Sequence, residues 1–363
     1  MRMKQLGILT LYLNEQKIIE EKKIYEEMTR IGAKLGLEVI VFTPEDVNAN
    51  RTEVLAHTFD IAQKRWRRKW SIIPDYILDR CRFQHSNRMK KLREFKMVHP
   101  EIKFLNKPLG NKWTVHKRLL QHQYLQSFLP ETILYQGIHS IKYMLTKHPI
   151  IFLKPINGTG GRGIIRIERK DNNKLLIQGR DLQRKILPEY SLKPNQLMKF
   201  LQKYRLQEIK YLVQQGINLQ LANGRVHDYR ILVQKNNEGN WTVSGVAGRV
   251  GAVNSVTANL HGGGTAVPMD ELIQLFVDSR VNKEALNEQL TEMAIELSKY
   301  LENTAGALYE LAIDIAIDKN GKIWIIEINP KPAREVFREL GDRHTYLNAI
   351  KRPLEYAKYK MNL

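Results

Sequence analysis

Two short stretches hold the residues best suited to chemistry. In the first, Phe152-Leu153-Lys154-Pro155 leads into Gly158-Thr159-Gly160-Gly161-Arg162-Gly163, a literal GxGxxG. Clustered glycines let backbone N–H groups approach an oxyanion closely, and a lysine beside them adds a mobile positive charge, which suits a phosphate cradle. The same pattern occurs in dinucleotide folds and kinases, so its context decides. A dinucleotide loop runs straight into a helix, whereas Gly163-Ile164-Ile165-Arg166-Ile167-Glu168-Arg169 alternates as a strand does. In kinases the lysine follows the glycines and HRD and DFG elements come later; here Lys154 precedes them and neither element occurs. No GxxxxGK[ST] is present either. Taken alone, the loop fits a plain glycine hairpin with a surface lysine equally well.

The second stretch is Asp318-Lys319-Asn320-Gly321-Lys322, centred on the strongest short hairpin signal. With Asn320 and Gly321 as a two-residue turn, Asp314 faces Glu327, and Asn329 shares their side of the sheet. The other side pairs Ile313 with Ile328, Ile315 with Ile326 and Ile317 with Trp324, an apolar surface. Two carboxylates placed opposite each other repel unless something positive lies between them. Two Mg²⁺ ions held by Asp314, Glu327 and Asn329, with phosphate oxygens completing their shells, would supply that charge. The competing reading is a half-exposed hairpin with a polar outer face, and a one-residue slip would undo the alignment.

These residues need elements to position them. Residues 3–13 read as a strand, 15–35 as a helix stopped by Gly36, and 37–42 as a second strand. Ile72 to Leu78 and a polar helix over 84–97 continue this as an α/β layer. Its first turn, Thr10 to Glu15, lacks the dinucleotide glycines. A boundary near Pro108-Leu109-Gly110 divides the chain into residues 1–110 and 111–363. Beyond it a helix over 112–129 ends at Pro130, strands recur at 150–154, 163–168, 211–215, 229–235, 241–250, 312–318 and 322–329, and a long helix spans Asn282 to Ala305. The fold class expected is therefore an N-terminal α/β layer followed by an α+β domain with antiparallel sheets.

The chain's 363 residues, 43% hydrophobic and 26% charged, suit a folded protein of two domains. No run approaches the ~20 apolar residues of a membrane span. The apolar opening Gly7 to Leu13 gives way to Asn14 and Glu15 rather than to a cleavage site. With a single cysteine, Cys81, and no HExxH or paired CxxC, a reducing compartment is expected, which agrees with a cytoplasmic location. The net charge is +20, and residues 61–120 hold 17 basic against 4 acidic residues. Lys64-Arg65-Trp66-Arg67-Arg68-Lys69-Trp70 is the densest part. It reads either as a polyanion- or nucleic-acid-binding surface or as a solvated helix with its tryptophans packed inward.

In order along the chain, Lys112, the Lys154-Pro155 pair with its glycine loop, His227-Asp228-Tyr229-Arg230, Asn259-Leu260-His261-Gly262-Gly263-Gly264, Asp314 and Glu327-Ile328-Asn329-Pro330 resemble the ATP-grasp superfamily. The likeness runs from residue 112 to 334 and is greatest to the branch that joins amino acids to a carboxylate. The N-terminal layer resembles the domain that precedes ATP-grasp in such enzymes, and residues 111–363 would then hold its central and C-terminal subdomains. Asn111-Lys112-Trp113, Leu129-Pro130-Glu131-Thr132 and the stretch from Ala247-Gly248-Arg249 to Gly264 resemble the YheC/YheD-type endospore coat-associated proteins of Bacillus and relatives.

That resemblance implies ATP and Mg²⁺ as cofactors. Lys112 and Lys154 would contact the phosphates, and Gly158, Thr159, Gly160, Gly161 and Gly163 would close over them. Gln214, Gln215 and Ile217 would form the hinge that reads adenine, and Asp314, Glu327 and Asn329 would hold the metal. Asn111 stands where the family usually has Asp, and Gln215 where many relatives have Glu. The implied reaction joins a small-molecule or peptide carboxylate to an amine through an acylphosphate. Arg230, Arg249 and Asn259 would act on the transferred phosphoryl group or the carboxylate, and Asp228 and Arg334 would meet the substrate. His227 and His261 are expected to be structural. The resemblance also implies coat proteins as partners and a place in the mother cell or forespore. A coat-associated protein that keeps its nucleotide site without catalysing anything is the alternative.

Overall fold

The computed structural model describes residues 4–82, 87–158, 160–204, 206 and 208–362. Thr159 and the first residues of the helix expected at 84–97 lie outside them.

The first sheet contains β1 (Lys4–Leu9), β2 (Leu37–Phe42), β3 (Glu53–Asp60), β4 (Arg65–Ile72), β5 (Tyr76–Asp79) and β6 (Lys103–Phe104), in the order β4-β3-β2-β1-β5-β6. β1 runs parallel to β2 and β5, as a β-α-β opening requires. Helix α1 (Lys22–Lys34) covers one face and α2 (Arg88–Val98) the other. Gly36 does end α1, at φ +78°, a conformation that other residues adopt only at a cost.

Several expectations are corrected. Helix α1 begins at Lys22, not at residue 15, because residues 12–19 reverse direction in a tight turn closed by the antiparallel Tyr12–Ile19 bridge, with Leu13 N–H donating to Ile18 O at 2.8 Å. Residues 72–78 are not one strand: β4 ends at Ile72 and β5 starts at Tyr76. The basic, tryptophan-bearing run is not a helix but the edge strand β4, paired antiparallel with β3 from Glu53↔Ile72 to Asp60↔Arg65. Trp66 turns toward α1 and donates to Glu26 at 2.8 Å, while Trp70 stays 51% exposed.

The second sheet takes β7 (Thr132–Leu134), β8 (Ile150–Pro155), β9 (Ile165–Arg169), β10 (Leu175–Gly179), β11 (Tyr190–Leu192) and β12 (Tyr211–Gln215) in the order β11-β10-β9-β8-β12-β7, all antiparallel. The stretch expected as a helix over 112–129 is α3 (Lys112–Leu119) followed by a short 3-10 turn at Leu125–Phe128. Helices α4 (Ile138–Lys147) and α5 (Leu197–Lys203) pack Ile141, Met144, Phe200 and Leu201 against this sheet.

The third sheet is β13 (His227–Lys235), β14 (Trp241–Val250), β15 (Thr265–Val267), β16 (Glu310–Ile317) and β17 (Ile323–Asn329), in the order β15-β14-β13-β16-β17 and again antiparallel. Its apolar face, with Tyr229, Ile231, Ile313 and Ile315, packs on α6 (Met269–Phe276) and α7 (Lys283–Ala305). Helix α8 (Glu335–Glu339) follows β17. The last helix, α9 (Arg343–Asn362), places Ile350, Leu354 and Tyr356 in one core with Leu6, Ile8 and Met28 of the N-terminal layer. An α/β layer followed by antiparallel sheets is thus the architecture found.

Candidate functional site

The third sheet's other face carries charge. Strand alternation puts Asp228 and Arg230 of β13 on it, and the register sets Arg249 beside Asp228, Asp314 beside Arg230 and Glu327 beside Asp314. Two arginines and two aspartates therefore interlock across β14, β13 and β16, with the Glu327 carboxylate beside Asp314 on β17. Arg249 grips Asp228 with two bonds of 2.6 and 2.8 Å and reaches Asp314 at 3.1 Å. Arg230 grips Asp314 with two bonds of 2.8 Å. Such forked pairs fix both side chains in orientation as well as in charge.

Burial would raise the Asp314 carboxyl, but Arg230 and Arg249 outweigh it and hold it at about 2. Burial raises the Asp228 carboxyl above its usual range, opposed by Arg249. For Arg249 the two carboxylates overcome burial and keep the guanidinium firmly charged.

Asp314 does face Glu327, but by a route the sequence reading did not contain. The turn has three residues, since Asp318 N–H donates to Lys322 O at 3.0 Å and Gly321 sits at φ +80°. That shifts the pairing to Ile317↔Ile323 and Ile315↔Ile325 instead of the expected Ile317–Trp324 and Ile315–Ile326. A bulge between Asp314 and Ile315 then restores Asp314↔Glu327 and Ile313↔Ile328. The two departures cancel at the carboxylates. Asn329, opposite Ala312, stays on their side.

The second sheet supplies the facing wall. Lys112, the first residue of α3, donates to Glu327 at 2.8 Å and also to Gly158 O, tying the glycine loop to the carboxylate strand. Asn111 caps α3 by accepting from Thr114 N–H at 2.9 Å, a task for which Asn serves as well as Asp. Lys154, on β8, is 9% exposed and donates to Gln214 Oε1, while the Gln214 amide donates to Thr132 at 3.0 Å. Burial brings the Lys154 ammonium down to about 8, against the pull of Glu327, Asp228 and Asp314.

The glycine loop joins β8 to β9 as strand, loop, strand. Gly160, Gly161 and Gly163 all have positive φ. A Cβ on Gly161 would lie 3.2 Å from both Asn259 Oδ1 and Thr257 Oγ1, so the loop lies against the segment that follows β14. Gln215 ends β12, and its side chain accepts from Glu131 N–H at 3.1 Å. Gly216 and Ile217 follow in the link from β12 to β13, between the two sheets.

Lys112, Lys154, Gly158, Gly161, Asp228, Arg230, Arg249, Asn259, Asp314 and Glu327 are thus brought to one place. Arg334 is not. It is fully buried, with its donors given to Glu310 at 2.6 Å and Ala349 O at 2.9 Å, and the expectation that it meets substrate is corrected: no substrate atom can reach it. His227 is buried and neutral, its imidazole pushed down to about 4 by burial, with Nδ1 2.8 Å from Leu219 O. Two further arginines beside the glycine loop, Arg180 and Arg184, went unnoticed in the sequence, because no spacing rule ties them to the loop, and Thr132 was given no part in holding Gln214.

The oxygen-donor set fits a hard dication. Among the described residues no three His, Cys, Asp or Glu side chains gather as a metal cage. Two carboxylates and a carboxamide leave open positions, and Mg²⁺ commonly fills such positions with phosphate oxygens and water.

The basic excess of residues 61–120 looks different once paired. Arg67 meets Asp60, Arg68 Asp46, Arg80 Glu21 and Glu310, Arg82 Glu20, Arg88 Glu45, and Lys96 Asp79. Most of these acids lie elsewhere in the chain, so counting within the segment overstates its free charge.

A glycine-loop sheet facing a carboxylate-bearing sheet across a short link defines the ATP-grasp fold. D-alanyl-alanine synthetase A from Vibrio cholerae O1 biovar eltor superposes with a TM-score of 0.55 over 98% of this chain and 99% of that one, at 10% identity. The chain belongs to the family described as YheC/D like ATP-grasp, which matches residues 101–359. It is 31% identical over 314 residues to the endospore coat-associated protein YheC of Bacillus subtilis (strain 168), covering 85% of this chain and 84% of that protein. To YheD of the same strain it is 28% identical over 349 residues, covering 95% of this chain and 75% of that protein.

Proposed function

We propose that the protein is an ATP- and Mg²⁺-dependent ligase that joins a carboxylate to an amine through an acylphosphate. The observation that carries this reading is the convergence of Lys112, Lys154 and the glycine loop upon the face bearing Arg230, Asp314 and Glu327. Phosphoryl transfer asks a protein mainly for positioning and for charge that matches the transition state. Lys112 and Lys154 bind phosphate oxygens, and the loop backbone from Gly158 to Gly163 excludes water above them. Gln214 keeps Lys154 aimed, and the link through Gln215 and Ile217 receives the adenine.

Asp314, Glu327 and Asn329 would hold Mg²⁺, which when bound neutralises phosphate charge. The substrate carboxylate attacks the γ-phosphorus and ADP leaves; an amine then adds to the acyl carbon and phosphate departs. Arg230 and Arg249, held in place by Asp314 and Asp228, offer donors to the transferred group and to the developing oxyanion. Asn259 offers a carboxamide from the opposite side. The relatives are named endospore coat-associated proteins, which supports a setting at the forming endospore coat, with coat proteins as partners.

The test is ADP release from ATP in the presence of Mg²⁺ across a panel of carboxylates and amines that includes glutamate and peptides. Release that requires both acceptors and is lost in Lys154→Ala supports the ligase. Nucleotide binding without release across the whole panel would favour a coat-associated protein that uses its nucleotide for stability alone.

A further inference from the structure

Beside the glycine loop lies a group of cations outside the phosphate-and-metal set. Arg180 is 4% exposed, yet no carboxylate meets it: its contacts are Ser255 Oγ at 3.0 Å, Gly262 O at 2.8 Å and Arg184 O at 3.4 Å, and its Nε has no partner. The other buried arginines, Arg80, Arg249 and Arg334, each pair with Asp or Glu. Arg184 also keeps a buried, unpartnered Nε, and the hydroxyl of Thr257 is buried and unpartnered as well. The one carboxylate in this turn, Asp181, is committed to the N–H groups of Gln183 and Lys185 at 2.9 and 2.8 Å.

These groups converge on the loop. A Cβ on Gly160 would fall 2.6 Å from Arg184 Nη2, one on Gly161 3.2 Å from Thr257 Oγ1, and one on Gly262 2.7 Å from Arg180 Nη1. Burial and repulsion from Arg162 and Arg180 push Arg184 below its ordinary pKa, as expected of a cation lacking its counter-ion. A buried guanidinium without an acid costs free energy that a folded protein recovers when an anion arrives.

We propose that Arg180, Arg184 and Thr257 form an oxyanion subsite that takes a second anionic group of the substrate, a carboxylate or a phosphate remote from the reacting carboxylate. Arg184 and Thr257 donate to its oxygens, and Arg180 supplies charge through its free Nε. The substrate class is then a polyanion of small size, such as a dicarboxylic amino acid, an acidic peptide end or a phosphorylated acid. Its assignment to the substrate rests on the ligase reading above; the subsite itself does not.

Binding of inorganic phosphate, and separately of MgADP, is measured by calorimetry at 0.15 M salt on the native chain, Arg180→Gln, Arg184→Gln and Thr257→Val, with Arg67→Gln on the exposed edge strand as a charge control. The expected result is a loss of about tenfold or more in phosphate affinity for Arg184→Gln, a smaller loss for Thr257→Val, and no change for Arg67→Gln, a tenfold step being 1.4 kcal/mol. MgADP affinity should stay within about twofold, because the nucleotide is held by Lys112 and Lys154. Unchanged phosphate binding in Arg184→Gln and Thr257→Val would overturn the subsite, whether or not Arg180→Gln folds. A parallel loss of MgADP binding would overturn the substrate assignment and give the oxyanion to the nucleotide. Native protein that binds phosphate through Arg184 but does not bind MgADP would sink the ligase reading and leave the subsite standing.

Discussion

Lys154 offers a test that its own burial quantifies. Its ammonium is 9% exposed and titrates near 8 in the ligand-free chain, so it is about nine-tenths charged at pH 7 and about one-tenth charged at pH 9. Nucleotide phosphates raise that pKa when they bind, so binding takes up a proton once the free lysine has lost its own. MgADP affinity should accordingly fall about tenfold between pH 7 and pH 9, roughly 1.4 kcal/mol. The phosphates themselves do not add to this slope, having second pKa values near 6. The assay is calorimetric titration at half-unit steps of pH, repeated in buffers of different ionisation enthalpy to count the proton. In Lys154→Met the affinity should be lower at pH 7 and flat to pH 9. Stability carries the opposite sign. A lysine whose folded pKa lies below its unfolded one binds fewer protons when folded, so ligand-free stability rises as pH climbs from about 8 to about 10. A native chain whose MgADP affinity does not change between pH 7 and 9 would remove Lys154 from the phosphate site. An equal slope in Lys154→Met would put the titrating group elsewhere.

Glu327→Ala should abolish the rise in thermal midpoint with MgATP; at hundredfold over Kd that rise is about 3 to 4 °C for a chain of 363 residues. Arg334→Met leaves Glu310 with Arg80 and Gln234 but strips a fully buried partner. It should cost about 3 kcal/mol in urea unfolding while MgADP affinity in the folded protein stays within about twofold. Gly161→Ala forces a side chain into left-handed backbone beside Asn259, at about 1 kcal/mol in stability, and should lower ADP release far more than it lowers the unfolding midpoint. Asp314, held at about 2, contributes stability that is present above pH 4 and is lost as pH falls toward 2. Native chain and Asp314→Asn should therefore differ in unfolding midpoint at pH 6 and converge near pH 2.

What could be read in the sequence was whatever depends on period and on turn chemistry. Alternation placed Asp314, Glu327 and Asn329 on one side, and that placement held although the turn length was misjudged, because a bulge gave back the residue that a three-residue loop had taken. Periodicity did not identify β4: Trp66, Trp70 and Ile72 share one side, but Arg68 interrupts the alternation amid a run of charge, and the ladder with β3 is what makes it a strand. Arg334 follows the carboxylate strand closely and looked accessible, but Glu310 and the α9 backbone enclose it, and those partners are distant in sequence. The charge of residues 61–120 misled for the same reason, since a local count does not register acids that folding brings from other segments.

The packing of α9 against β1 and α1 orders events during synthesis. Leu6, Ile8 and Met28 emerge from the ribosome first, yet the residues that close their core include Ile350, Leu354 and Tyr356, more than three hundred positions later. Until residues 343–362 are free, the nascent N-terminal layer keeps an apolar face open, and contacts of such long range form slowly. The glycine-loop sheet has a core of its own, drawn from residues 133–213, and can settle earlier. The first part of the chain to be made is thus the last to be finished, and a nascent chain halted before α9 is the form most in need of a chaperone.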